Sequence, residues 1–119
     1  MLALIEMSRD LDSIATNTIS RDGISTNELQ SELEQLGPRW TKLGGELRLA
    51  LEGPMARTGT AAAALALLAD ELDHHPKIVL ESAGLTLTIR THDSKTITVL
   101  DLVYAARAEL WLRNNGWPT

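Results

Sequence analysis

Two stretches of the chain, "ELRLALE" (residues 46–52) and "LTLTIRT" (residues 85–91), alternate apolar and polar residues. A period of two marks a strand with one covered face and one open face. In the first stretch Leu47, Leu49 and Leu51 fall on one side, and Glu46, Arg48 and Glu52 on the other. In the second, Leu85, Leu87 and Ile89 oppose Thr86, Thr88 and Arg90. Each run follows another apolar run across turn-forming residues: "RWTKL" before Gly44-Gly45, and "KIVLE" before Ser82-Ala83-Gly84. Gly-Gly between two such runs reads as a hairpin turn. Two hairpins, each apolar on one face, need a second layer to cover that face.

Three helical segments supply the cover. Ser25 with Glu28 three residues on fits a capping box, Leu29, Leu33 and Leu36 form one stripe, and Gly37-Pro38 stops the segment. A second helix is predicted from about Thr58 to Asp73, with Ala61, Leu65, Leu68 and Leu72 on one face. A third begins near Thr98, carries Val99, Leu102, Val103, Ala106 and Leu110 as its buried stripe, and ends at Gly116 and Pro118. The expected order is α-β-β-α-β-β-α. The simplest packing is a two-layer α+β domain, a four-stranded antiparallel sheet with helices on one face. Residues 23–119 are assigned to this domain and residues 1–22 to an N-terminal extension. Within it Leu4, Met7, Leu11 and Ile14 fall at helical spacing, whereas "DSIATNTIS" is rich in residues that leave helices for turns. A short helix and a loose arm both fit.

A length of 119 residues favours one domain, and 44% apolar residues with no Phe means a core of Leu, Ile, Val and Ala. The net charge of −5 argues against nucleic acid as a partner and against an anionic membrane surface. The absence of cysteine excludes disulfides and thiolate metal sites. "MLALIEMSRD" lacks the basic start and long apolar run of a signal peptide, and no run reaches membrane-spanning length. A cytoplasmic protein is expected.

The chain has three histidines, two of them adjacent in "ADELDHHPKI" and the third in "IRTHDSK". His74 and His75 stand where the second helix gives way to a strand, and His92 where the last strand leaves the sheet. Asp70, Glu71 and Asp73 crowd the last turn of that helix, where negative charge is unfavourable. That local violation marks the place as a candidate site. Asp70 precedes His74 by four residues, His92 follows His75 by 17, and Asp101 follows His92 by nine.

This spacing resembles that of the pterin-4a-carbinolamine dehydratase family, also called 4a-hydroxytetrahydrobiopterin dehydratase. That family has an acid four residues before His-His-Pro, a third histidine 17 after the second, and an Asp about nine further on. The likeness runs from about Ile24 to Arg113, and "GGELR" after Trp40 resembles the family's first hairpin. It implies loss of water from 4a-hydroxytetrahydropterin to give quinonoid dihydropterin, with a homodimer or homotetramer as the assembly and no metal or organic cofactor. By the same resemblance His74 and His92 are the acid/base pair, and His75 positions the pterin. Asp70 and Asp101 are expected to orient the imidazoles. Asp73, His74, His75, Arg90, Thr91, His92 and Asp93 are expected to line the substrate. Imidazole titrates close to neutral pH, so it suits both halves of a water elimination.

The chain departs from the family at three places. Ser82 stands where an aromatic residue is usual, Ser94-Lys95-Thr96-Ile97 replaces a glycine-bearing loop, and Leu and Ala replace several Phe around the second helix. Dehydratase-like folds also serve as binding partners, including a transcriptional coactivator and a carboxysomal Rubisco assembly factor. The alternative is therefore a catalytically weakened binding or assembly module. A metal site is the other chemistry that three histidines and nearby carboxylates permit. Adjacent histidines diverge and helical His-x3-His spacing is absent, so none is expected.

Overall fold

The computed structural model describes residues 10–20, 22–91 and 96–118. In chain order the elements are α1 (Leu11–Ala15), α2 (Thr26–Leu36), β1 (Trp40–Leu43), β2 (Glu46–Glu52), α3 (Met55–Leu72), β3 (Lys77–Glu81), β4 (Gly84–Ile89) and α4 (Val99–Asn114). The strands form one antiparallel sheet in the order β1-β2-β4-β3. The two strictly alternating strands are thus the central pair, and the two shorter, less regular runs are its edges. This is the expected two-layer α+β architecture, preceded by α1.

Alternation sets the layering. Leu47, Leu49 and Leu51 pair with Ile89, Leu87 and Leu85 in register, and all six are buried. The polar positions between them face away from the helices. Both hairpins have two-residue turns, and Gly44, at φ +61, supplies the positive φ of the first. Gly84 is fixed by contact: a Cβ there would lie 2.3 Å from the backbone oxygen of Leu51, so the two central strands approach this closely only across glycine.

The helices differ from their sequence reading in two respects. α3 starts at Met55, three residues before Thr58, because Pro54, at φ −59, already holds a helix-compatible φ at the cap position. α4 is not a one-sided helix. Leu100, Asp101, Tyr104, Ala105, Ala108, Glu109 and Leu112 are buried along with Leu102, Val103 and Ala106 of the expected stripe, whereas Val99 and Leu110 are half-buried. The reason is α1, whose Leu11, Ile14 and Ala15 pack into the same core and whose Ala15 carbonyl accepts from Arg107 Nε at 2.8 Å. Residues 1–9 lie outside the described residues. Tyr104, wholly buried, donates its hydroxyl to the Leu65 carbonyl at 2.8 Å, which locks α4 to α3. Among the described residues no helix is long and apolar enough to cross a membrane.

The lower half of α4 carries a buried carboxylate. Glu109 accepts from Arg39 Nε at 2.8 Å and Nη2 at 3.0 Å, from Trp40 Nε1 at 2.9 Å, and from Arg113 Nε at 2.7 Å. Burial alone would push its pKa up, but the hydrogen bonds from Arg39, Arg113 and Trp40 outweigh that and hold it below its ordinary 4.5. These contacts fasten the start of β1 to α4.

Removing one partner of a buried ion pair leaves the others unpaired and typically costs about 3–5 kcal/mol. Glu109→Ala is expected to destabilise the protein by that amount in urea titration at neutral pH. Because the folded pKa is depressed, Glu109's ionisation stabilises the fold above its ordinary pKa, and that contribution disappears as pH falls through the folded value. The gap between native protein and Glu109→Gln should therefore narrow as pH drops below about 4.5. A gap that stays constant from pH 7 down to acid unfolding would contradict this.

Candidate active site

The site begins with how α3 ends. Asp73 takes a left-handed conformation, φ 49 and ψ 46. The His74 N–H then reaches back to the Ala69 carbonyl at 3.0 Å, and the Asp73 N–H to that of Asp70 at 3.3 Å. This pair of bonds is the Schellman arrangement, and Asp is among the few side chains besides Gly that accept its left-handed residue. The acids that look misplaced at a helix C-terminus thus include the residue that makes the turn. Pro76 then commits the chain to β3.

The reversal sends the two adjacent histidines in opposite directions. His74 turns inward: the residue is 5% exposed, and its Nε2 lies 2.6 Å from Asp101 Oδ1. Asp101 is 0% exposed, and its other oxygen accepts from the Thr98 N–H at 2.9 Å and from the Thr91 hydroxyl at 3.2 Å. Thr91 and Thr98 also share a hydroxyl–hydroxyl bond of 2.7 Å. Asp101 is the third residue of α4 and completes a capping box with Thr98. Its charge sits at a helix N-terminus, where it is favoured. One carboxylate therefore caps α4 and holds an imidazole. A carboxylate only accepts, so Nε2 of His74 is the donor in this contact and Nδ1 is the ring nitrogen left for other partners.

His75 turns outward. Its side chain is 59% exposed, and its Nε2 lies 3.0 Å from Asp70 Oδ1, also exposed, one helical turn back. His75 lines a cleft of about 440 Å³ on the open face of the sheet, together with Glu46, Pro76, Lys77, Thr88 and Arg90. That volume is within the usual range for small-molecule sites.

Of the residues singled out from sequence, His74, Asp101 and Thr91 converge in a dry cluster. His75, Asp70 and Arg90 lie on the wet side, and Asp73 forms the turn between. His92 and Asp93 lie outside the described residues. The Thr91 side chain faces Asp101 rather than the cleft. Thr98, read from sequence only as a helix start, belongs to the cluster. Glu46, Lys77 and Thr88 in the cleft wall carried no sequence signal beyond strand alternation, because strand order alone brings them together. Ser82 lies in the β3–β4 turn, at the opposite end of β3 from His75 and roughly 20 Å along the strand. The departure there is distant from the cleft. Among the described residues no three or more His, Cys, Asp or Glu side chains group as metal ligands would.

Comparison with known proteins identifies the family and the fold. The family model for pterin 4 alpha carbinolamine dehydratase matches residues 22–111. A protein of Roseiflexus sp. (strain RS-1), provisionally named pterin-4-alpha-carbinolamine dehydratase, is 30% identical over 87 residues, covering 72% of this chain and 92% of its own. A protein of the same provisional name from Roseiflexus castenholzii is 32% identical over 71 residues, covering 59% of this chain and 76% of its own. The crystal structure of a transcriptional coactivator/pterin dehydratase from Brucella melitensis has the same fold, with a TM-score of 0.68 at 23% identity over 75% of this chain and 97% of that one. By its histidine and aspartate spacing, its sheet order and the match over residues 22–111, the chain belongs to the pterin-4a-carbinolamine dehydratase family.

Proposed function

We propose that the protein removes water from 4a-hydroxytetrahydropterin to give quinonoid dihydropterin. The observation that carries this reading is the buried 2.6 Å contact between His74 and Asp101, immediately before the cleft-lining residues His75 and Pro76. The elimination needs one proton delivered to the departing 4a-hydroxyl and one taken from a ring nitrogen. With Nε2 committed to Asp101, Nδ1 is the nitrogen of His74 left to exchange a proton with the substrate, and His74 is assigned as the base. His92 is then the acid. Asp101 fixes the tautomer, much as the carboxylate of a hydrolase triad does. His75, steadied by Asp70, contacts the pterin in the wet half, beside the backbone of residues 73–75 and 90–93. The chemistry needs no metal or organic cofactor. The natural setting is the cytoplasm, and the assembly is a homodimer or homotetramer, a reading supported by the open edges of β1 and β3 with Leu43 and Leu80 exposed.

Purified protein should accelerate the loss of 4a-hydroxytetrahydropterin over its spontaneous decay in a stopped assay. Decay at the spontaneous rate, in folded protein, would favour the binding-module alternative. Light scattering at micromolar concentration should give two or four times the mass of the 13.0 kDa chain, and a monomer mass would count against the assembly.

Substitutions separate the roles. His92→Ala and His74→Ala should each lower kcat by roughly 10²–10⁴, the usual scale of acid/base catalysis. His75→Ala should act on KM more than on kcat. His74 is buried, so its loss also strands Asp101 Oδ1 and should reduce stability by about 1–3 kcal/mol, an effect that His75→Ala should lack. Asp101→Asn should lower kcat by roughly 10²–10⁴ through the wrong tautomer, and should also shift the pH profile of kcat, which loss of the helix cap alone would not do. Near-native kcat in a folded His74→Ala/His92→Ala double variant would dismiss the assignment.

A further inference from the structure

We infer that Lys77 and Arg90 form an anion-binding corner in the cleft beside His75, and that it selects pterins whose side chain ends in a phosphate ester or a carboxylate. The inference rests on the pterin reading above and concerns which pterin is taken.

Sheet register places the two cations together. Lys77 pairs with Thr88 across β3 and β4, and Arg90 lies two residues beyond Thr88. Lys77 and Arg90 are therefore diagonal neighbours on the open face, with Cβ atoms about 7–8 Å apart. That spacing lets two long side chains bracket one tetrahedral or planar anion over the Thr88 hydroxyl, which adds a donor. All three residues line the same cleft as His75.

Among the described residues neither cation is hydrogen-bonded to a carboxylate. Lys77 has no ion-pair partner among the described residues. Arg90 faces Glu46 at 3.8 Å, beyond hydrogen-bond length, and its side chain is 58% exposed. Its fork of five donors is therefore largely unspent, and a bidentate oxyanion is the ligand that uses it best.

The surroundings sharpen the contrast. The chain carries 16 acidic and 11 basic residues, so most of its surface repels anions. The cleft lining holds two cations and a single carboxylate, Glu46. A bicyclic pterin seated against His75 leaves its side chain free to reach the Lys77–Arg90 corner, and a volume of about 440 Å³ accommodates both parts. A neutral side chain would leave the corner's donors to water.

Calorimetric titration of the full chain tests this with four probes: 6-hydroxymethylpterin, its phosphate ester, 6-carboxypterin and inorganic phosphate. Both anionic pterins should bind on the order of tenfold tighter than the neutral one, with the advantage shrinking as salt is raised. Inorganic phosphate should compete weakly with the phosphate ester. In the Lys77→Gln/Arg90→Gln double variant, whose changes are at exposed positions, the ratio of neutral to anionic Kd should fall toward one. Equal Kd for neutral and anionic pterins in the native protein overturns the inference while leaving the dehydratase reading intact. So does a preference that survives in the double variant. Failure of every pterin to bind, together with turnover at the spontaneous rate, removes the dehydratase reading and this inference with it. A preference for one anionic pterin over the other identifies which terminal group the corner serves.

Discussion

The carboxylate of Asp101 joins three elements that would otherwise end separately. It receives the imidazole that terminates α3, the hydroxyl that follows β4 and the backbone N–H that opens α4. A carboxylate with no exposure is tolerated only where its oxygens are hydrogen-bonded, and both oxygens of Asp101 are. The helix dipole favours the same charge from the other side. One group therefore performs a folding task and a site task at once. The helix cap and the orientation of His74 fall on the two oxygens of one carboxylate, so the site's geometry is tied to the domain's own framework.

The left-handed residue Asp73 explains why two adjacent histidines have different surroundings. Neighbouring side chains in a helix diverge by about 100°, and in a strand by about 180°. Here the divergence is set by a reversal, with the helix bonds of α3 closing onto Ala69 and Asp70 as the chain turns. His74 enters the layer between sheet and helices and loses water. His75 stays on the open face and keeps it. A dry imidazole with one nitrogen committed has a fixed tautomer. A wet imidazole paired to an exposed acid can exchange partners when a ligand arrives. Division of labour between the two histidines follows from backbone geometry before any substrate is considered.

Sheet, hairpins and layer order were legible in the sequence because each rests on a local period: Leu47, Leu49 and Leu51 against Glu46, Arg48 and Glu52, and the same for the partner strand. The His74–Asp101 pairing was approachable through spacing, since both residues sit at element ends that the topology brings together. The rest of the cleft wall was not. Glu46, Thr88 and Lys77 are ordinary open-face residues of three strands, and only the order β1-β2-β4-β3 brings them beside His75 and Arg90. The burial of α4 beyond its expected stripe was not legible for a related reason. Its stripe was read against the sheet alone, whereas α1 covers the opposite side with Leu11, Ile14 and Ala15. Turn-forming residues left that short helix as one of two readings; its start is capped by Asp10, which accepts from the Ser13 N–H.

A helix buried over most of its circumference has little to define its rotation, because Leu and Ala pack acceptably in many orientations. α4 solves this with two buried carboxylates eight residues apart. On an ideal helix, Asp101 and Glu109 are separated by about 12 Å along the axis and about 80° around it. They face different neighbours: the ends of α3 and β4 in one case, the start of β1 and the last turn of α4 in the other. A rotation or a one-residue slide that served one carboxylate would strand the other in an apolar layer. Two polar anchors at different azimuths fix both degrees of freedom, which two on the same stripe would not. The position of Asp101 against His74 is thereby set partly from Glu109, at the far end of the same helix.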